Sequence, residues 1–166
     1  MKALKPFVLL ILLLFTGTIA EAQSKGKLKK QQGYEATKKI VERGRFIFET
    51  TILITRDAER LQTLGEGFLI YDNRIDVNFP FIGEMNKGTL SASQNIQFTA
   101  PYVETKVESN DKKRKILFTF EVKDGAESYD FSFTIYGNRR AKARIASSSR
   151  GRIEFEGTIK SNEQKL

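Results

Sequence analysis

The chain has 166 residues, 28 lysines and arginines against 20 aspartates and glutamates, and neither histidine nor cysteine. Without imidazole or thiol it cannot build a Ser-His-Asp or Cys-His nucleophile, an imidazole base, or the usual nitrogen-and-sulfur zinc site. The formal charge of +8 favours anionic surfaces in general and specifies none of them.

At the N-terminus, Lys2 and Lys5 precede an unbroken apolar run from Phe7 to Phe15, and Ala20-Glu21-Ala22 fits a small-x-small cleavage site. This is the three-part pattern of a signal peptide over residues 1–22. The run breaks at Thr16-Gly17-Thr18, short of the roughly 20 apolar residues a spanning helix needs. No transmembrane segment is therefore expected after cleavage. Removing 22 of the 166 residues leaves 144, a single-domain length. With no cysteine to carry a lipid, the expected product is soluble and exported, periplasmic or extracellular, and not a lipoprotein.

Residues 23–33, QSKGKLKKQQG, are polar and basic and read as a flexible leader that buries too little to offset its ordering entropy. A short helix is predicted at about Tyr34 to Arg43, where Ala36, Ile40 and Val41 share a face and Arg43-Gly44 supplies a stop. From Arg45 the period becomes two. Phe46, Phe48, Thr50, Ile52 and Ile54 form one strand, and Asp72-Asn73 joins the strands around Phe68–Tyr71 and Arg74–Val77 as a tight hairpin. Ile116, Phe118, Phe120 and Val122 share the inner face of a later strand, which turns at Asp124-Gly125. Tyr129, Phe131, Phe133 and Ile135 come next, then a turn at Gly137-Asn138, then Ala141, Ala143 and Ile145, and finally Ile153, Phe155 and Gly157.

Short strands with turns every 8–12 residues or so predict an all-β fold. We expect a mainly antiparallel meander of about eight or nine strands, barrel or sandwich, with one short N-terminal helix. The domain would span residues 34–160, ahead of a polar tail at 161–166.

Two groups of residues stand out as binding candidates. The first is Phe79, Phe81, Ile82 and Met85, with Tyr71 and Tyr102 as neighbours. Pro80 removes a ladder donor and Gly83 frees the backbone, so the apolar cluster falls where the chain leaves a strand. A small apolar ligand or an envelope component is the partner this implies. Eleven of the 13 phenylalanines lie beyond Phe15, and such an interior either packs solid or holds one apolar ligand.

The second group is basic: Arg139, Arg140, Lys142 and Arg144, with further clusters at Lys112-Lys113-Arg114-Lys115 and at Arg150 and Arg152. Brought together, these would form a positive stripe for an anionic polymer or lipid. A solvated, aggregation-resistant sheet face accounts for the same residues. Specific nucleic-acid binding is not expected, because Phe118, Phe131 and Phe133 fall on inward positions instead of between the charges. Among the acids, Asp72, Asp76, Glu84 and Glu104 offer no spacing that singles out a hydrolytic pair. No phosphate loop, dinucleotide glycine motif or calcium loop is present. The chain is therefore expected to be non-enzymatic, with no cofactor and no metal.

The order of segments resembles a family of small exported Bacteroidetes proteins, domain of unknown function 4251. In that family a helix runs into a strand through V-x-x-G-x-F-x-F, here Val41 to Phe48. A [LF]-P-[YF]-[FI]-G element is matched by Phe79 to Gly83, and an S-S-x-R-x-x-I-x-[YF]-x-G-x-I ending reaches Ile159. The chain departs from the family in its plain EMNKGTLSASQNI stretch and in lacking a lipoprotein cysteine. The resemblance implies an exported, mostly β domain and no particular activity.

Overall fold

Strands that are apolar on one face only must turn that face away from water, and a single meander can do so by curling until its first and last strands meet. The computed structural model, which describes residues 26–55, 57–63, 67–80, 95–149 and 151–162, has this architecture. Its strands are β1 (Phe46–Ile54), β2 (Arg60–Gln62), β3 (Gly67–Tyr71), β4 (Arg74–Pro80) and β5 (Asn95–Asn110). They continue as β6 (Lys115–Asp124), β7 (Glu127–Tyr136), β8 (Arg140–Ser147) and β9 (Ile153–Ser161). All pairings are antiparallel, and β1 pairs with both β3 and β9, closing an eight-stranded barrel with β2 as an extra strand. β2 prolongs the β3 side of β1: β3 pairs with Phe46–Glu49, and β2 takes over at Ile52–Ile54.

The turns are built on residues that tolerate positive φ. Asp72 and Asn73, at φ 45° and 59°, form the two-residue β3–β4 hairpin. Gly125 (φ 59°) opens the β6–β7 turn. In the three-residue β7–β8 turn the left-handed position falls on Arg139, at φ 65°.

Closure bends β1 sharply, with a bulge between Thr50 and Ile52 in its pairing with β9. Two glycines press on its backbone from either side. A Cβ at Gly67 would lie 2.5 Å from the Phe48 carbonyl oxygen, and one at Gly157 would overlap the Glu49 carbonyl oxygen. Glycine is required at both positions because no side-chain atom fits between the strands.

The interior is built from aromatic rings. Phe68 of β3 stacks on Phe48 at 5.6 Å and meets Phe131 and Phe133 of β7, across the barrel, at 5.9 and 6.0 Å. Phe79 and Phe155 lie 5.3 and 5.6 Å from the same ring. Rings that touch across the barrel leave no open lumen at this level.

One end is covered by α1 (residues 26–42). Tyr34, Thr37, Ile40 and Val41 are buried on its inner face, and Gly44 (φ 62°) ends it as its N–H donates to the Val41 carbonyl at 2.9 Å. The helix starts earlier than the apolar spacing predicts, taking in much of the stretch read as a flexible leader. Its first turns are held by polar and backbone contacts instead of apolar burial. Gln31 bonds Glu35 at 2.7 Å and accepts from Arg114 at 3.3 Å, and a Cβ at Gly33 would lie 3.1 Å from the Gly137 carbonyl oxygen. The Thr37 hydroxyl reaches the carbonyls of Gly33 and Gly137 at 2.8 and 3.2 Å.

Candidate functional site

The strand alternation separates the six apolar candidates. Phe79 is fully buried, its ring 5.1 Å from Phe155. Tyr102 is also buried, but beside Gly44 at the end of α1, 4.6 Å from Phe120 and 6.1 Å from Phe118. Burial, and to a lesser extent the nearby Asp72 carboxylate, pushes the Tyr102 phenol pKa up. Phe79 pairs with Ile96, whereas Pro101 beside Tyr102 pairs with Arg74 at the other end of β4, about 17 Å away at 3.4 Å per residue. Tyr71 is half-buried on the outer face. Phe81, Ile82 and Met85 lie outside the described residues. Among the described members, then, the fold makes core contacts and brings no common lining together.

The basic candidates are placed differently. Arg140, Lys142 and Arg144 alternate with buried alanines and an isoleucine along β8 and so project outward together. Arg139 is exposed in the preceding turn. Beside them lies a cleft of about 1080 Å³ between the first turns of α1, the β5–β6 and β7–β8 turns, and the outer faces of β8, β9 and β1. Its charged lining is Lys29, Lys30, Lys113, Arg114, Arg140 and Lys142 against a single acid, Glu156. Thr51, Tyr136, Asn138 and Thr158 add polar groups. The two turns are joined where the Gly137 N–H donates to the Arg114 carbonyl at 3.0 Å, which sets Lys113 and Arg114 next to Asn138 and Arg140.

Glu156 sits between two cations, 2.6 Å from Arg60 and 2.7 Å from Lys142. Hydrogen bonds from Arg60 and Lys142 hold its carboxyl down to about 2, and the same contact raises Lys142. Lys142 is thereby ion-paired, as is Arg144 with Glu154 at 2.8 Å. Lys29, Lys30, Lys113, Arg114 and Arg140 make no ion pair among the described residues. The net field of the cleft is therefore positive, and it comes from three separate chain segments.

Of the four basic residues singled out along the sequence, Arg140 and Lys142 line the cleft, while Arg139 and Arg144 flank it. Lys113 and Arg114 belong to a cluster visible in the sequence, and the sheet supplies the proximity that would join it to β8. Lys29 and Lys30 are not among the sequence candidates, because a basic stretch without apolar residues carries no signal of being docked. Among the acids, Asp72 is held by Arg45 at 2.6 Å, Asp76 faces outward on β4, and Glu104 sits at the β5 bulge. Glu84 lies outside the described residues.

The fold is similar to that of a DUF4251 family protein from Bacteroides eggerthii, whose crystal structure superposes with a TM-score of 0.63 at 14% sequence identity. The match covers 78% of this chain and 87% of that one, a likeness of fold alone. No curated protein matches the chain. Residues 28–159 match the family described as Domain of unknown function (DUF4251). That span runs from the first turns of α1 to the last core residue of β9, so the whole described barrel with its helix is the family's unit, and this chain belongs to DUF4251.

Proposed function

We propose that this chain is an exported, non-enzymatic binding domain and that its cleft holds a partner bearing several phosphate groups. The observation that carries this reading is the convergence of five cations without ion pairs, Lys29, Lys30, Lys113, Arg114 and Arg140, on one cleft with a single, already engaged acid. Export rests on the signal-peptide pattern of residues 1–22. A row of phosphates displaces counterions as it binds, so affinity falls steeply with salt. An apolar ligand at Phe79–Met85 has less support, because the rings of Phe79 and Tyr102 are engaged in core contacts.

The test is a titration of the protein with inorganic polyphosphate and, separately, with vesicles containing phosphatidylglycerol, each across a salt series. Binding that weakens log-linearly with salt, and that is lost in Lys113→Ala/Arg140→Ala, supports the reading. Preference for one probe tells a soluble polyanion from a membrane surface. Binding that is absent, or indifferent to salt and to these substitutions, overturns it.

A further inference from the structure

Strand β5 is twice used and half exposed. Its first part, Asn95 to Pro101, pairs with β4, and from Tyr102 onward it pairs with β6 instead. The Tyr102 N–H donating to Asn73 at 3.0 Å is the last backbone bond on the β4 side. Beyond it, residues 103–110 are all exposed, and among the described residues no strand takes their outer edge. A free edge of this kind presents a row of unpaired N–H and C=O groups, and pairing with another strand is its default hazard.

The side chains along this edge are self-complementary. A bulge between Val103 and Lys106, with Glu104 at φ 53°, fixes which way the later side chains of β5 point. Lys106 and Glu108 lie on the outer face opposite Thr119 and Leu117, bonded to each other at 2.5 Å, and Val107 between them faces the other way opposite Phe118. Val107 is nevertheless 42% exposed. An antiparallel two-fold pairing centred on Val107 sets Val107 against its copy and Lys106 directly across from Glu108, twice. Thr105 meets Ser109 in the same register. Opposite charges facing across strands stabilise, and like charges destabilise. The neighbouring two-fold registers, centred on Lys106 or Glu108, place Lys106 against Lys106 or Glu108 against Glu108. The charge pattern therefore favours the Val107-centred register over its two neighbours.

We infer that residues 105–109 of β5 form an isologous interface with a second copy of this chain, joining two barrels edge to edge through a two-fold axis at Val107. The contact is a short β-augmentation whose affinity comes from main-chain hydrogen bonds and whose specificity comes from the Lys106–Glu108 crossing. So short an interface gives a concentration-dependent dimer instead of a permanent one.

Sedimentation velocity across a concentration series tests it, using the purified protein and the variants Lys106→Glu and Glu108→Lys. Both positions are exposed, and unchanged unfolding curves verify that the variants fold. The parent should shift from monomer to dimer with concentration. Each variant alone should dissociate roughly tenfold or more readily, since it faces two like-charge pairs. An equimolar mixture of the two variants should dimerise again, because the crossing pairs are restored with their signs exchanged. A parent that stays monomeric throughout, single variants that dimerise like the parent, or a mixture that stays monomeric would each overturn the inference.

Discussion

The hydroxyl of Tyr34 donates a 2.7 Å hydrogen bond to Asp111, 77 residues further along the chain. It fastens α1 to the β5–β6 turn, with Lys38 3.6 Å from the same carboxylate. The ring itself is fully buried. Tyr34→Ala should destabilise by about 3–5 kcal/mol, as large aromatic truncations do. Tyr34→Phe keeps the packing and should lose only a minor part of that. Chemical unfolding of both variants separates the ring from the hydroxyl.

The same residue makes the protein sensitive to alkali. Burial, and then the hydrogen bond to Asp111, push the Tyr34 phenol up to about 12 from 10.0. A raised folded-state pKa means stability fully present below pH 10 and lost as pH climbs through 12. Thermal unfolding measured across that window should show a falling midpoint that is partly relieved in Tyr34→Phe. Tyr102, raised in the same direction by burial, should account for part of the remainder.

Glu156 acts at the opposite end of the pH scale. Its folded-state carboxyl lies at about 2 against 4.5, so its contribution is complete above pH 4.5 and is lost as pH falls through 2. Glu156→Gln should flatten the acid limb of the stability curve. It should also free Lys142 of the cleft from its ion pair, tightening polyphosphate binding and steepening its salt dependence. Weaker binding in this variant would count against the cleft as the anion site.

Closure of the barrel depends on two hydrogen-for-methyl positions. Gly67→Ala and Gly157→Ala each place a carbon against a β1 carbonyl and should cost about 2–4 kcal/mol, the scale of overpacking in a strained strand pair. Gly125→Ala meets no neighbouring atom within 4 Å and pays only for its positive φ of 59°. Denaturant midpoints should rank the three, with Gly125→Ala the mildest.

The fold class is legible in the chain because nearly every strand has a strict alternation that one buried face enforces. Phe131-Ser132-Phe133-Thr134 and Ala141-Lys142-Ala143-Arg144 are examples. The Asp72-Asn73 hairpin and the Gly44 helix stop are legible for the same local reason. Closure is not, because the pairing of Phe46 with Ser161 depends on curvature summed over every strand between them. Nor is the docking of residues 26–33, which is set by one glycine meeting another at Gly33 and Gly137. Four of the cleft's six cations are visible as clusters, Lys113 with Arg114 and Arg140 with Lys142. The rest depends on a helix whose first turns present almost nothing apolar.

The seam between β1 and β9 also sets a timetable. The first strand of the barrel waits for the last, so Phe46 and Phe48 have no permanent neighbours on that side until Ser161 and Ile159 are free to pair. Contacts this distant in sequence are slow to form. The cleft inherits the same delay, since Lys29 and Lys30 stand near one end of the described chain and Glu156 and Thr158 near the other. A nascent chain stopped before β9 carries every lysine and arginine of the cleft and still has no cleft.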